Sequence, residues 1–316
     1  MQLHGINFGS IANSSGARGW YGEGYAFHKL WRPFGLDYSG STFVAKTTTL
    51  NGRPGNMPLN SRYQPKELIP KCIVVRFKAG VTLNAVGLSG PPARELFKKG
   101  LWQQIDKPFF LSFMSTESNP RSRTEELRQF IDLLGEQLAS FKAKPGLQIN
   151  FSCPNINLNP SELIKEIDHA LELAGQLGIP LIPKLSAIAP IAAVLSASQH
   201  PNFSALCMSN TIPWGQLPDK INWLKLFGSP VSPLRKRGFQ QDGGLSGKPL
   251  LPIVCDWIKH ARDSGLDKPI IGCGGILHPV DVKTMIQAGA NSIEIGCVSI
   301  LRPWRVQAII RQAQSA

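Results

Sequence analysis

Leu147-Gln148-Ile149-Asn150-Phe151-Ser152-Cys153 and, further on, Pro180-Leu181-Ile182-Pro183-Lys184-Leu185 are two strand-length apolar runs. Between them, Pro160 to Leu177 carries Leu163, Ile167, Leu171 and Ala174 at helical spacing. Asn159 is placed to cap that helix and Gly178 to close it. Strand, helix and strand joined by short links make a βαβ unit, which needs a parallel sheet.

The same alternation continues on both sides. Before it stand a strand over Pro108 to Met114 and a helix over Thr124 to Lys142. After it come a helix over Ala187 to Ser196, a strand over Ser204 to Ser209, and a helix over Gly247 to Ser264. A strand over Lys268 to Cys273, a helix over Pro279 to Ala288, a strand over Asn291 to Ile295 and a helix over Arg302 to Gln314 complete the chain. Toward the N-terminus, Thr42 to Thr47 and Ile6 to Asn13 read as two more strands, and Gly24 to Trp31 as an irregular helix. Eight strands predict an α/β fold of the (β/α)8 TIM-barrel type. An open doubly wound sheet would carry G-x-G-x-x-G after its first strand, and none stands there. One domain is expected over 1–316. Its excursions near 48–107 and 212–246 read as inserted loops over the C-terminal face of the barrel.

The chain of 316 residues has a formal charge of +13, spread along its length. Its densest basic run, Leu234-Arg235-Lys236-Arg237, lacks interleaved aromatics, so a solvated basic surface is expected rather than a nucleic-acid site. Cys72, Cys153, Cys207, Cys255, Cys273 and Cys297 form no C-x-x-C pair, which speaks against a metal or iron–sulfur site in this chain and suits a reducing cytoplasm. No apolar run reaches the roughly 18 residues of a membrane span, and no secretion signal opens the sequence.

In a parallel barrel the site forms where strands end. Polar residues gather at those places: Ser15, Lys46, Asn150, Cys153, Lys184, Asn210 and Thr211. Any one of them has an ordinary structural explanation; for Cys153 it is a buried thiol ahead of a turn. Their recurrence on separate strand ends makes a site. Cys153 has the chemistry of a base or nucleophile, and the flanking carboxamides Asn150 and Asn155 suit a polar, planar substrate. Gly274-Gly275 and Gly296 follow the last two strands, where bared backbone N–H groups receive a phosphate. Gly243-Gly244-Leu245-Ser246-Gly247, taken as the loop before a helix, would add further donors. Two lysines suit the electron-rich edge of a flavin.

These blocks, with Asn13-Ser14-Ser15-Gly16-Ala17, Ala45-Lys46-Thr47, Arg53-Pro54-Gly55-Asn56 and Leu83-Asn84-Ala85-Val86-Gly87-Leu88, resemble the dihydroorotate dehydrogenase family from near Ile6 to near Ile310. The S-C-P-N and G-G-L-S-G blocks in this order are the specific ones. The resemblance implies an FMN-dependent barrel that oxidises (S)-dihydroorotate to orotate in pyrimidine biosynthesis. It implies that Cys153 is the base taking the C5 proton while the C6 hydride passes to FMN, with Lys46 touching both ligands. It places Lys46, Asn84, Val86, Gly87, Leu88, Asn150, Asn155, Asn210 and Thr211 around the substrate. Around the cofactor it places Ser14, Ser15, Gly16, Lys46, Thr47, Asn150, Lys184 and Ser209, with Gly244, Ser246, Gly247, Gly274, Gly275, Gly296 and Cys297.

A cysteine base resembles the soluble class 1 enzymes. Class 2 members have serine there and an N-terminal helical extension, which is expected to be missing here because the first strand begins so early. The N-A-V-G-L and G-G-L-S-G blocks lean to the NAD-linked type, which works through a second subunit carrying FAD and an iron–sulfur cluster. The fumarate-using homodimer is the competing subtype, and a homodimer is expected. Three features depart from the family: Cys297 stands where threonine is usual, and neither the segment from Trp20 to Trp31 nor the basic excursion around Arg235 matches a family pattern. The alternatives are another pyrimidine flavoenzyme or a relative of the tRNA-dihydrouridine synthases, which also use a cysteine and which a basic surface would suit.

Overall fold

A computed structural model describes residues 1–152 and 160–315. Seven parallel strands curl into one sheet: β1 (Ile11–Asn13), β4 (Phe109–Phe113), β5 (Pro145–Asn150), β6 (Leu181–Ser186), β7 (Leu206–Asn210), β9 (Ile270–Cys273) and β10 (Ser292–Ile295). Their order is β1-β10-β9-β7-β6-β5-β4. The gap between the two edges is filled by residues 42–48. Thr42 exchanges backbone bonds with Ile11 and Asn13 on one side, while Phe43, Ala45 and Thr48 bond Phe110, Ser112 and Met114 on the other. That stretch is the eighth stave, and the barrel closes as expected.

The strands read as continuous apolar runs because both of their faces are covered. All five residues of β4 are buried. Outside lie the helices α1 (Pro120–Gln137), α2 (Ile167–Gly175), α3 (Ile191–Ser198), α4 (Leu250–Asp263), α5 (Pro279–Gln287) and α6 (Val306–Gln314). In α1, Asn119 accepts from the Ser122 N–H at 2.9 Å and Pro120 opens the first turn; Leu127, Phe130, Ile131 and Leu134 then form the buried stripe.

The interior of the barrel has two chemistries. Toward the N-terminal ends of the strands it is apolar, with Leu3, Phe8, Ala12, Val44, Phe110, Ile182, Ala205 and Ile271 in one cluster. Phe8 stacks on Phe110 with ring centroids 4.3 Å apart. Above this plug, Gln148, Lys184 and Glu294 are buried together.

Several boundaries differ from the sequence reading. The expected first strand divides: Ile6–Asn7 pairs back on Gln2–Leu3, and only Ile11–Asn13 joins the barrel. The helix expected over 160–177 is Pro160–Ile164 followed by α2. The last helix is preceded by a separate turn at Pro303–Arg305. The two excursions are more than loops. They supply β2 (Ile73–Arg76), β3 (Val81–Asn84) and β8 (Gly244–Gly247), which join Ile212–Pro213 in a four-stranded antiparallel sheet. The G-G-L-S-G block is therefore a strand, with Gly244 opposite Asn84 and Gly247 opposite Val81, and the following helix begins only at Leu250. These strands were hidden because they are short, and because glycine and polar residues blur their alternation.

Candidate active site

At the end of β1, the Ser15 hydroxyl lies 2.7 Å from the Thr47 hydroxyl and accepts from the Thr47 N–H at 2.8 Å. Thr47 Oγ1 continues to Ser112 Oγ at 2.9 Å. Three adjacent staves are thus tied by hydroxyls at the same level. Gly16 faces Lys46: a Cβ there would stand 3.9 Å from the lysine's Cγ. Lys46 is buried, donates to the Ser89 carbonyl at 2.6 Å and holds its ammonium 4.6 Å from the centre of the Trp20 ring. Trp20 belongs to the aromatic segment that matched no family pattern, and here it forms a wall beside this lysine.

Across the mouth, Asn210 Nδ2 donates to Asn150 Oδ1 at 3.0 Å, and the Thr211 N–H donates to Asn210 Oδ1 at 2.8 Å. Asn150 Oδ1 also accepts from the Ser152 N–H at 3.2 Å. Two carboxamides from β5 and β7 are thereby held in fixed relation. Asn84 comes from β3, with its Nδ2 3.4 Å from the Gly244 carbonyl. Beyond it, Gly87 and Leu88 both turn with positive φ, +71° and +59°, and the Val86 carbonyl accepts from the Asn56 N–H and the Ser89 hydroxyl.

The far corner is built from β8, β9 and β10. Ser209 donates to its neighbour Asn210's carbonyl at 2.8 Å and lies 3.4 Å from the Cys273 carbonyl. Ser14 Oγ is 3.1 Å from Cys273 Sγ. A Cβ on Gly296 would crowd Ser14 at 3.1 Å, and one on Gly275 would strike the Leu251 N at 2.4 Å. Gly274 has φ +140° and is backed by Leu250, three residues after Gly247. Of the glycines expected to receive a phosphate, Gly274, Gly275 and Gly296 are therefore brought to neighbouring strand ends beside Ser14 and the first turn of α4, with Gly247 just before that helix. Burial, then the nearby Cys273, pushes the Cys297 thiol up to about 12, so it stays neutral. Cys207 and Cys273 are likewise raised by burial.

Below the mouth, Lys184 Nζ donates to Glu294 Oε2 at 2.8 Å, with side-chain exposures of 6% and 0%. Gln148 Nε2 donates to the other oxygen, Oε1. Burial works against the Lys184 ammonium, yet the anionic groups facing it, Cys207 where ionised and Glu294, hold its pKa above the usual lysine value. Gln148 and Glu294 were missed in the sequence reading. The available signal was a lone polar residue at an inward position between apolar neighbours, in Leu147-Gln148-Ile149 and Ile293-Glu294-Ile295. Cys153 and Asn155 lie outside the described residues.

This constellation can be set beside known proteins. The sequence profile described as dihydroorotate dehydrogenase matches residues 16–316. The chain belongs to the dihydroorotate dehydrogenase family. It is an oxidoreductase of that flavin-dependent family, whose place is in pyrimidine biosynthesis. It is similar to the catalytic subunit of NAD(+)-linked dihydroorotate dehydrogenase B of Bacillus pumilus, 26% identical over 303 residues, covering 94% of this chain and 84% of that one. The corresponding subunit of Shouchella clausii is 27% identical over 302 residues, covering 93% and 86%. Among solved structures, dihydroorotate dehydrogenase from Eimeria tenella in complex with ferulenol superposes with a TM-score of 0.67 at 15% identity, over 99% of this chain and 82% of that one. That likeness speaks for the fold. No helix among the described residues is long and apolar enough to cross a membrane.

Proposed function

We propose that this chain oxidises (S)-dihydroorotate to orotate at an FMN held in the barrel mouth, as the catalytic subunit of an NAD-linked assembly. The observation that carries the reading is the convergence of Lys46, Lys184 and the Asn150–Asn210 pair on one end of one barrel. The donor set suits FMN. Hydroxyls of Ser15 and Thr47 and the two lysines match a ring rich in acceptors, and the close-packed glycines after β9 and β10 match a phosphate.

FMN, when bound, supplies the acceptor for the hydride leaving substrate C6. The chain's own residues do the rest. Lys184 would offer a fixed positive group to the flavin's N1/O2 edge, and Lys46 would touch both ligands. Asn84, Asn150, Asn155, Asn210 and Thr211, with the turn Val86-Gly87-Leu88, grip the carbonyl and N–H groups of a planar pyrimidine. The Asn150–Asn210 bond pre-orients two of these carboxamides before the substrate arrives, which lowers the cost of ordering them. Cys153 takes the C5 proton as a thiolate; a free thiol has a pKa of about 8.5, so flavin reduction should quicken toward alkaline pH. A partner subunit is supported by the relatives, which are named as catalytic subunits.

The experiment is anaerobic mixing of the purified, flavin-loaded chain with L-dihydroorotate. The flavin absorbance should bleach. Cys153→Ala should keep its FMN and lose most of that bleaching, by about a hundredfold or more in rate. Unchanged bleaching in Cys153→Ala removes the cysteine from its role. A yellow wild-type protein that ignores dihydroorotate removes the substrate.

A further inference from the structure

Glu294 is a carboxylate at the heart of a barrel whose lower interior is filled by an uncharged, mainly apolar cluster. Burying an ion pair seldom adds stability over an apolar filling of the same volume. Ala12, Val44, Phe110, Ile182 and Ile271 show that this barrel fills the same channel without charge one layer down. The charge in the upper layer therefore calls for a reason other than packing.

The geometry supplies one. Both carboxylate oxygens are engaged, Oε2 by Lys184 at 2.8 Å and Oε1 by Gln148. The side chain has no exposure, and the Cys207 thiol also donates to it, so its orientation is set by those three bonds and by β10 itself. Lys184 sits two residues before the end of β6, opposite Asn150 of β5, so its ammonium lies directly under the mouth. A lone ammonium there would project the field of a full positive charge. An ammonium clamped to a carboxylate projects that of a dipole, which is weaker and falls off faster.

Resting on the FMN reading given above, we infer that Glu294 is a positioning residue that holds Lys184 under the flavin edge and tempers its charge, setting how strongly the reduced flavin is stabilised. With the carboxylate in place, an anionic reduced flavin gains less from Lys184, and its electrons pass on more readily. With the carboxylate neutralised, Lys184 becomes an unscreened cation and the reduced form is favoured.

Glu294→Gln tests this with little disturbance. The amide is close to isosteric. Its oxygen still accepts from Lys184, and its NH2 then faces Gln148, whose Oε1 has no hydrogen-bond partner among the described residues and can accept it after a flip. The readout is the flavin midpoint potential, from equilibrium titration against reference dyes, with sulfite affinity as a second measure of electron demand at the ring. In Glu294→Gln the potential should rise by the equivalent of about tenfold or more in the reduction equilibrium, and sulfite should bind correspondingly tighter. Glu294→Asp, which keeps the charge but withdraws it by one methylene, should shift both in the same direction by less. In a Lys184→Met background, Glu294→Gln should no longer raise the potential, because a fully buried carboxyl that has lost its ammonium partner takes up a proton and leaves no charge to remove.

An unchanged potential and sulfite affinity in a Glu294→Gln protein that retains FMN overturns the inference. So does an equal rise in the Lys184→Met background. A wild-type chain that neither carries FMN nor takes it up fails earlier and differently: it overturns the flavin reading, and this inference with it.

Discussion

His28 is 4% exposed and packed edge-on against Phe27, with centroids 4.4 Å apart. Its Nδ1 accepts from the Tyr25 N–H at 3.3 Å, so the proton of the neutral ring sits on Nε2. Burial, then Arg32 and Arg18, lowers its pKa from 6.5 to about 4. The folded state thus resists the proton that the unfolded chain accepts below pH 6.5. Between those two values the unfolded state binds more protons, so stability falls as pH falls. Urea unfolding should show a loss approaching about 3 kcal/mol between pH 7 and 4, and the His28→Gln variant should lack that step. Equal slopes in the two proteins would mean that His28 is not the group responsible. Residues differ in how far sequence exposes them. Lys46 and Lys184 could be found because lysine at the end of an apolar strand is conspicuous. Glu294 lies between two isoleucines on the last barrel strand, and only the inward face of the closed barrel reveals what it meets.

The antiparallel sheet at the barrel mouth joins residues that are far apart in the chain, β3 at 81–84 and β8 at 244–247. Gly247 is its tightest point. It has φ +118°, and a Cβ there would stand 2.2 Å from the Gly80 carbonyl oxygen and 2.8 Å from the Val81 Cα. Both obstacles are backbone, so neither can swing aside. Gly265 has a comparable φ of +97° with open space around it. Gly247→Ala should therefore cost more than Gly265→Ala by about 1–3 kcal/mol in thermal or urea unfolding, and it should also loosen FMN. Equal losses would show that the sheet yields easily. The parallel staves from Phe109 onward were legible because each is a short apolar run followed by a helical period. This sheet was not, since its central pairing, β3 with β8, joins residues more than 150 apart and its strands are four residues or fewer. Even so, the blocks that form it, L-N-A-V-G-L and G-G-L-S-G, were singled out by resemblance. Chemistry marked them before their pairing could be seen.

Taken whole, the molecule is a closed barrel with a cluster of polar residues at one end and an antiparallel sheet joined to that end through Ile212–Pro213, which follow β7 directly. On the proposed reading, two electrons enter there from dihydroorotate and must leave by the same mouth. The sequence holds six scattered cysteines with no close pair and no G-x-G-x-x-G after its first strand, so it offers neither an iron–sulfur relay nor a dinucleotide fingerprint of its own. The relatives are named as catalytic subunits of an NAD-linked enzyme, which points the exit toward a second chain. With a formal charge of +13, this chain should favour an acidic partner and release it as salt rises. The expected outcome for the chain alone follows from this. After anaerobic bleaching by dihydroorotate, neither NAD nor fumarate should restore the oxidised flavin spectrum, whereas an artificial dye that can approach the mouth should restore it at once. Rapid reoxidation by fumarate would instead make this a self-sufficient dehydrogenase, because fumarate is small enough to enter the pyrimidine pocket and collect the hydride directly.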